Sequence, residues 1–499
     1  MKSLFDKDSD RKQAGRFVIS GKELHGEITL DGPKTSLYVH DKETFNLRKL
    51  LPDEGITGIL HDLTKVSLFD CLLPAVPGHI SRGEEQYFFT NIFPHYILHG
   101  DCHLTPIEKT ISEVSFVIDD ASTLFYDFDA FAHLTDARPF IEQLIRANAV
   151  EDRVKPGPNP QILYFTGKHE ICSVDTVVGT ISISHNLKLN PWGGPKGVGL
   201  QNVISVTTAF KEEMRFHDAM RQSYILRLYL GLLVGRPQNV VNLRIGVKAD
   251  DADAPIYLDV IQSVPFHRNP TQEGEPPHPG DVLLDAITKP EEFSQVTANW
   301  IARMEEWNDA RMRFFNSFKE QRNYTIERMV SSANMFDILP KSAVPFSIEL
   351  SKDLEAARDS ARDSFYALPN TPERASVLSA LGWIGRASLK QKVRHRLKTL
   401  TDLLPNVFPD ILMVCDEAVN CRNHYVHGGE APFDYSNNFD AVIFFIDTLE
   451  FVFAVSDLIE AGWDIKSWMD GHIKYSHPFG RYRLGYSRYL QHLKFHLGK

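Results

Sequence analysis

The sequence predicts an α+β multidomain chain: a β-rich N-terminal half, sandwich- or barrel-like, followed by an all-α helical bundle. Two observations carry this. From Arg16 to about residue 285, short apolar runs alternate with Gly, Asp and Pro signals at close spacing. From Pro290 the apolar period becomes helical and stays so. A basic, aromatic segment sets off the C-terminal end. The expected divisions are 1–155 and 156–289 (both β-rich), 290–470 (helical) and 471–499 (tail).

Residues 1–15 are charged and expected to fray. Strands are expected in Phe17-Val18-Ile19, Gly26 to Leu30, Thr35 to Val39, Gly58-Ile59-Leu60, Lys65 to Phe69, Gln86 to Phe89, Tyr96-Ile97-Leu98 and Ser115 to Ile118. Many short strands close together fit a sandwich or barrel. Lys155-Pro156-Gly157-Pro158-Asn159-Pro160 marks a boundary or a long exposed loop. Beyond it, Gln161 to Phe165, Thr176-Val177-Val178, Gly179 to Ile183 and Val203 to Val206 read as a second β layer. Residues 212–234 read as a helix stopped at Gly235-Arg236-Pro237, and a polar, proline-rich loop runs from His267 to Gly280. The helices expected after Pro290 are 291–319, 322–338, 349–367, 371–403, 408–427 and 437–461, with Asn437 or Asn438 capping the last.

The length allows two to four domains with large cores. A net charge of −11 excludes a generally basic nucleic-acid coat, so any RNA contact must be local. Cys71, Cys102, Cys172, Cys415 and Cys421 are scattered and odd in number, and no CxxC pair occurs. That pattern indicates neither a disulfide framework nor a zinc ribbon, and a reducing, cytoplasmic setting is expected. Met1 to Asp8 lacks the apolar core of a signal peptide, and no run approaches the ~18 apolar residues of a membrane span.

One short stretch concentrates chemistry: Cys421-Arg422-Asn423-His424-Tyr425-Val426-His427-Gly428-Gly429. It closes an apolar-periodic segment running from Pro409, and its two glycines stop the helix. Asn423 and His427 are four apart and share a face. Arg422 is five before His427, about 140° round an ideal helix. The two meet one ligand if the last turn unwinds or a second subunit contributes its copy. Arginine offers a permanent fork of donors to a phosphate, and histidine moves a proton near neutral pH. The plainer reading is that Arg and His near a helix C-terminus complement its dipole.

Arg422-Asn423, three residues, then His427, followed by a second strongly apolar helix, resembles the HEPN ribonuclease motif of arginine, four to six residues, histidine. The helical region 320–470 resembles the HEPN domain of ApeA-type anti-phage abortive-infection proteins, and the β-rich half resembles that family's N-terminal domain. The resemblance implies a metal-independent endoribonuclease with no cofactor. Arg422 and His427 are then catalytic, with Asn423 orienting the phosphate or the ring, and Tyr425 packs or lines the cleft. It further implies a supporting acidic or polar residue on an early bundle helix. Asp337, in Asn334-Met335-Phe336-Asp337, is the candidate, with Asp416 and Glu417 as alternatives. Implied partners are RNA (tRNA in particular), a phage protein trigger at the N-terminal half, and a second copy in a homodimer or larger homo-oligomer. The alternative is a non-catalytic HEPN scaffold that binds RNA, a nucleotide or a partner protein.

The tail 471–499 carries Lys474, Arg481, Arg483, Arg488, Lys494 and Lys499 and no acidic residue, interleaved with tyrosines. Arg481, Arg483 and Arg488 with Tyr482 and Tyr486 suit phosphate contact and base stacking. The other reading is a docking segment whose tyrosines pack on the bundle. Trp192 to Gly199 is glycine-rich but lacks the Gly-Lys-Ser/Thr ending of a phosphate loop. Cys102 and His103 beside His95 and His99 make no complete metal-ligand set. His424 is expected to pack or to hydrogen-bond.

Overall fold

The computed structural model describes residues 12–44, 55–74, 77–190, 199–248, 254–265, 276–344, 350–472 and 474–498. The charged start 1–11, most of the glycine-rich segment (191–198) and most of the proline-rich loop (266–275) lie outside the described residues. Chain contacts divide the molecule into two units, Met1–Asn269 with Leu284–Ser294, and Pro270–Leu283 with Gln295–Lys499. No described helix is long and apolar enough to cross a membrane.

The first unit begins with strands β1 (Lys12–Ile19), β2 (Lys22–Thr29), β3 (Ser36–Asp41), β4 (Ile56–Leu60), β5 (Lys65–Leu72), β6 (Gly78–Arg82), β7 (Glu85–Gly100) and β8 (Ile111–Ile118). Alternation puts Phe17, Ile19, Leu24, Ile28, Leu37, Val39, Val66, Leu68 and Ile92 into one core. Antiparallel pairing runs β1–β2–β3–β7–β5–β4 and returns to β1, so these strands close into a barrel. Closure removes the exposed edges that an open sheet would present. Gly58 permits it: a Cβ there would lie 2.5 Å from the Phe17 ring. The runs expected at 86–89 and 96–98 are one strand, β7, because Asn91 to Pro94 between them also pair with β3 and β5.

The unit continues with α1 (Ala121–Leu124), β9 (Phe131–Thr135), α2 (Arg138–Ala147), β10 (Gln161–Phe165), β11 (Glu170–Asp175), β12 (Gly179–Asn190), β13 (Gly199–Met214), α3 (Phe216–Val234), β14 (Val240–Val247) and β15 (Ile256–Gln262). From β7 the sheet extends through β15, β14, β8, β13, β12 and β11. β8 pairs with both β13 and β14, so one sheet holds strands from both sides of the proline-rich stretch at 155–160. Thr176 to Val178, expected as strand, form the turn before β12: Thr176 Oγ1 accepts from the Val178 and Gly179 amides at 3.2 Å each. The helix expected from residue 212 starts at Phe216 and ends, as read, at Gly235 in the left-handed conformation.

The helices are α4 (Pro290–Ala302), α5 (Met304–Phe318), α6 (Ile326–Asp337), α7 (Lys352–Tyr366), α8 (Pro372–Trp383), α9 (Leu389–Thr401), α10 (Ile411–His427), α11 (Phe439–Ala461), α12 (Ile465–Asp470) and α13 (Pro478–His496). Two expected long helices are each two. The 291–319 segment breaks at Arg303, and 371–403 breaks where Gly385 turns left-handed and Ser388 opens α9 with a capping box to Gln391. Asn438 occupies the N-cap of α11 without a side-chain cap bond; Asp434 organises that turn, accepting from the Ser436 and Asn437 amides at 2.9 and 3.1 Å.

α11 is buried almost all round, as an apolar central helix must be. α5, α6, α9, α10 and α13 pack on it. Two of its buried carboxylates, Asp457 and Glu450, are paired with arginines. Asp457 takes two hydrogen bonds from Arg311, at 2.8 and 2.9 Å, and that guanidinium lies 4.0 Å from the centre of the Trp300 ring. Glu450 takes two from Arg328 of α6, at 2.9 Å each. Both pairs are buried, so they satisfy charges that would otherwise be very costly there.

Candidate active site at the end of the tenth helix

The buried face of α10, Ile411, Val414, Cys415, Ala418, Val419 and Cys421, has helical spacing and fixes the helix on the bundle. Gly428 ends it at φ 71°, its amide donating to the His424 carbonyl at 2.9 Å. A Cβ at Gly428 would meet nothing within 4 Å, so only the backbone conformation calls for glycine. The motif is thus delivered at the exposed end of a firmly packed helix.

Arg422 is the hub. Its Nε and Nη2 donate to Asn334 Oδ1 on α6 at 3.0 and 2.8 Å. Its Nη1 donates to Asn423 Oδ1 and to His427 Nε2, each at 3.1 Å. Arginine has donors only, so His427 Nε2 is the accepting, unprotonated nitrogen in this arrangement. Neither an unwound turn nor a second copy is needed to bring the pair together. α10 stays helical through His427, and the long arginine side chain closes the 140° expected between them within one chain.

Asp337 Oδ2 lies 3.6 Å from Arg422 Nη2, and Asp337 Oδ1 lies 3.6 Å from Lys392 Nζ of α9. Lys392 also donates to the Asp337 carbonyl at 2.8 Å. Asp337 therefore stands near the motif, but Asn334, one turn earlier, makes the direct bonds. Sequence reasoning passed over Asn334 and Lys392. A neutral amide carries no signature of its own, although its place one turn before an acidic residue put both on one helix face. Asp416 is bound to Arg394 at 2.9 and 2.5 Å, and Glu417 holds Asn420 at 3.0 Å, so both are engaged elsewhere. Tyr425 packs on His424 and Tyr435, with ring centres at 5.2 and 6.0 Å, and burial raises the pKa of its phenol. His424 Nδ1 bonds the Gly429 carbonyl at 2.6 Å.

The tail is an ordered helix, α13. Phe479, Tyr482, Tyr486, Leu490 and Leu493 are buried along one face. This corrects the stacking role expected of Tyr482 and Tyr486. Tyr482 donates to Thr448 Oγ1 at 3.1 Å, and Tyr486 to the Pro409 carbonyl at 2.7 Å, so neither ring offers a face to a base. Their spacing suits core packing, and the basic residues fall between. Arg481 Nη1 donates to the Tyr475 and Ser476 carbonyls at 3.1 and 2.8 Å. Arg483 is half-buried, 5.9 Å from the Trp468 ring centre, and Arg488 is exposed beside Tyr489. In the first unit, His103 Nδ1 bonds the Val66 carbonyl at 3.2 Å and His95 packs edge-on against Tyr96. Among the described residues no group of three His, Cys, Asp or Glu is placed to hold a metal.

A helical domain with Arg422 and His427 closing one helix and a long apolar helix after it is an HEPN domain, and the family model described as Apea-like HEPN matches residues 330–467. The model described as ApeA N-terminal domain 1 matches residues 3–300. The chain therefore belongs to the ApeA family. No curated protein and no solved structure matches it.

Proposed function

We propose that this defence-associated HEPN protein is a metal-independent endoribonuclease that cleaves host RNA, tRNA in particular, when a phage component acts on the β-rich half. The observation that carries this reading is the 3.1 Å contact between Arg422 Nη1 and the accepting Nε2 of an exposed His427. It sets a fixed cation beside a proton acceptor where a phosphodiester can reach both. His427 Nε2 takes the proton of the ribose 2′-hydroxyl as that oxygen bonds to phosphorus. The P–O5′ bond breaks, leaving a 2′,3′-cyclic phosphate, and the departing oxygen takes up a proton as a 5′-hydroxyl. Arg422 stabilises the charge that gathers on the pentacoordinate phosphorus. Asn334 and Asn423 aim the guanidinium, and Asp337 adds negative charge beside it.

A second motif, from another copy, would supply the acid for the leaving oxygen. The exposed apolar residues Leu412 and Val426 on α10, 48% and 44% accessible, support such a pairing. The reading places the protein in the cytoplasm, where tRNA is, and makes the β-rich half the restraint on an otherwise lethal activity.

One observation favours the alternative of a non-catalytic scaffold: Arg422 spends its donors on Asn334, Asn423 and His427. Phosphate must displace some of them. The test is induced expression of wild-type and His427→Ala chains, with total RNA run on a denaturing gel before and after phage infection. Cleaved RNA from wild type alone, after infection, supports the nuclease. Intact RNA from both, with protection kept by the variant, leaves the scaffold.

A further inference from the structure

In the first unit, helix α3 and strands β7, β14 and β15 form a cavity of about 280 Å³. The residues that α3 turns toward it, from His217 to Arg227, recur at helical spacing, so one stripe of the helix makes one wall. The strands make the facing wall. The size lies near the lower limit of small-ligand pockets.

One wall is cationic and the other largely apolar. His217, Arg221 and Arg227 line the cavity from α3, and none of the described residues that line it is acidic. His217 is balanced from outside, since its Nε2 bonds the two carboxylate oxygens of Asp70 at 3.0 and 3.2 Å. The two arginines therefore set the sign of the cavity. Arg221 is exposed and Arg227 half-buried. Burial lowers the pKa of Arg227, and Tyr224 offsets part of that with a hydrogen bond and a ring whose centre lies 4.8 Å from the guanidinium carbon. An anion gains more from a partly desolvated cation than from one in open water. Val240 and Leu243 supply the apolar side, with Met220 from the helix. Tyr96 is held in place, edge-on to Phe216 with ring centres 5.0 Å apart and hydrogen-bonded to Gln262, so the facing wall is built without a ligand.

We propose that this cavity binds a small carboxylate with an apolar body, its carboxylate paired with Arg227 in the field of Arg221 and its body against Met220, Val240 and Leu243. The planar fork of arginine matches a carboxylate. Inorganic phosphate would satisfy the arginines but brings nothing to the apolar side. The same chemistry is offered by a free organic acid and by the C-terminal residue of a polypeptide that ends in an apolar side chain. The site uses none of Arg422, Asn423 and His427, so it stands or falls apart from the nuclease reading.

The test uses the full chain in a buffer free of phosphate and carboxylates, with binding read by isothermal titration calorimetry and ligand-observed NMR. The probes are phenylacetate, its neutral analogue phenylacetamide, and inorganic phosphate. Phenylacetate is expected to bind, and Arg227→Gln and Arg221→Gln are each expected to weaken it tenfold or more. Arg221 is exposed, so its variant should fold as wild type and keeps the test open if Arg227→Gln does not fold. Phenylacetamide binding as tightly as phenylacetate would overturn the carboxylate contact. Inorganic phosphate binding as tightly would overturn the apolar body. No phenylacetate binding at millimolar concentration, or binding unchanged in a variant that keeps the wild-type circular dichroism, would overturn the site. The peptide Gly-Gly-Phe with a free C-terminus separates the sources: competition with phenylacetate supports a polypeptide end, and phenylacetate binding without competition supports a free acid.

Discussion

Glu450→Gln should destabilise the helical unit strongly, and the size follows from its surroundings. Glu450 and Arg328 are 3% and 6% accessible. The carboxylate accepts two parallel bonds of 2.9 Å from Arg328 and a third, of 2.6 Å, from Ser317. The amide keeps the shape but removes the charge, and its NH2 replaces an oxygen that accepts from arginine or serine. Removing one partner of a buried pair costs about 3–5 kcal/mol, because the other charge stays buried without compensation. Asp447 offsets part of this. Its carboxyl is held up at about 7 by burial first and by the Glu450 charge second, so losing Glu450 lets it ionise beside Arg328. About 3 kcal/mol is therefore expected, or roughly 6–12 °C in Tm for a unit of this size. The assay is thermal unfolding of the full chain at neutral pH by far-UV circular dichroism, which the helices dominate. The control is Arg328→Met with Glu450→Met. Replacing both partners by apolar side chains is often neutral, so most of the lost Tm should return. A fall of less than about 2 °C in the single variant would refute the argument that an uncompensated buried arginine sets the cost.

The Asp447 carboxyl gives a pH dependence of definite sign. Its folded pKa of about 7 lies above the ordinary 3.8, so the folded state holds more protons between those values. Stability should fall as pH rises through that window and level off above it; Asp447→Asn should flatten the profile, read as the urea midpoint against pH. Asn334→Ala removes two charge-assisted bonds to a part-buried guanidinium, about 1.5 kcal/mol, or roughly tenfold in RNA cleavage if Arg422 stabilises the transition state. Asn334→Asp keeps the acceptor and should retain most activity; equal loss in both would sink the positioning role. Gly428→Ala forces a Cβ into the left-handed conformation at a cost of about 1–2 kcal/mol. The final turn should fray, seen as faster hydrogen exchange at the amides of residues 424–428, while the Tm of the bundle stays nearly unchanged.

Several features of this protein depended only on local order along the chain. Strand and helix periods separated the two halves, because alternation of two and a repeat of 3.6 leave different apolar spacings. The end of α10 was legible because Gly428 follows the last apolar-periodic residues, and so were the three motif residues that it presents. Other features required distant residues to meet. Closure of the barrel depends on β5 and β4 returning to β7 and β1, which no local pattern states. Asn334 reaches Arg422 across 88 positions, and a neutral amide gives no warning of such a contact. The tail shows the division most clearly. Its composition, arginines between tyrosines, fits an RNA surface and a packed helix equally well, because both chemistries use the same residue types. Burial of Tyr482 and Tyr486 against α11 and the Pro409 carbonyl decided between them, and burial is a property of the neighbours, which a sequence does not carry.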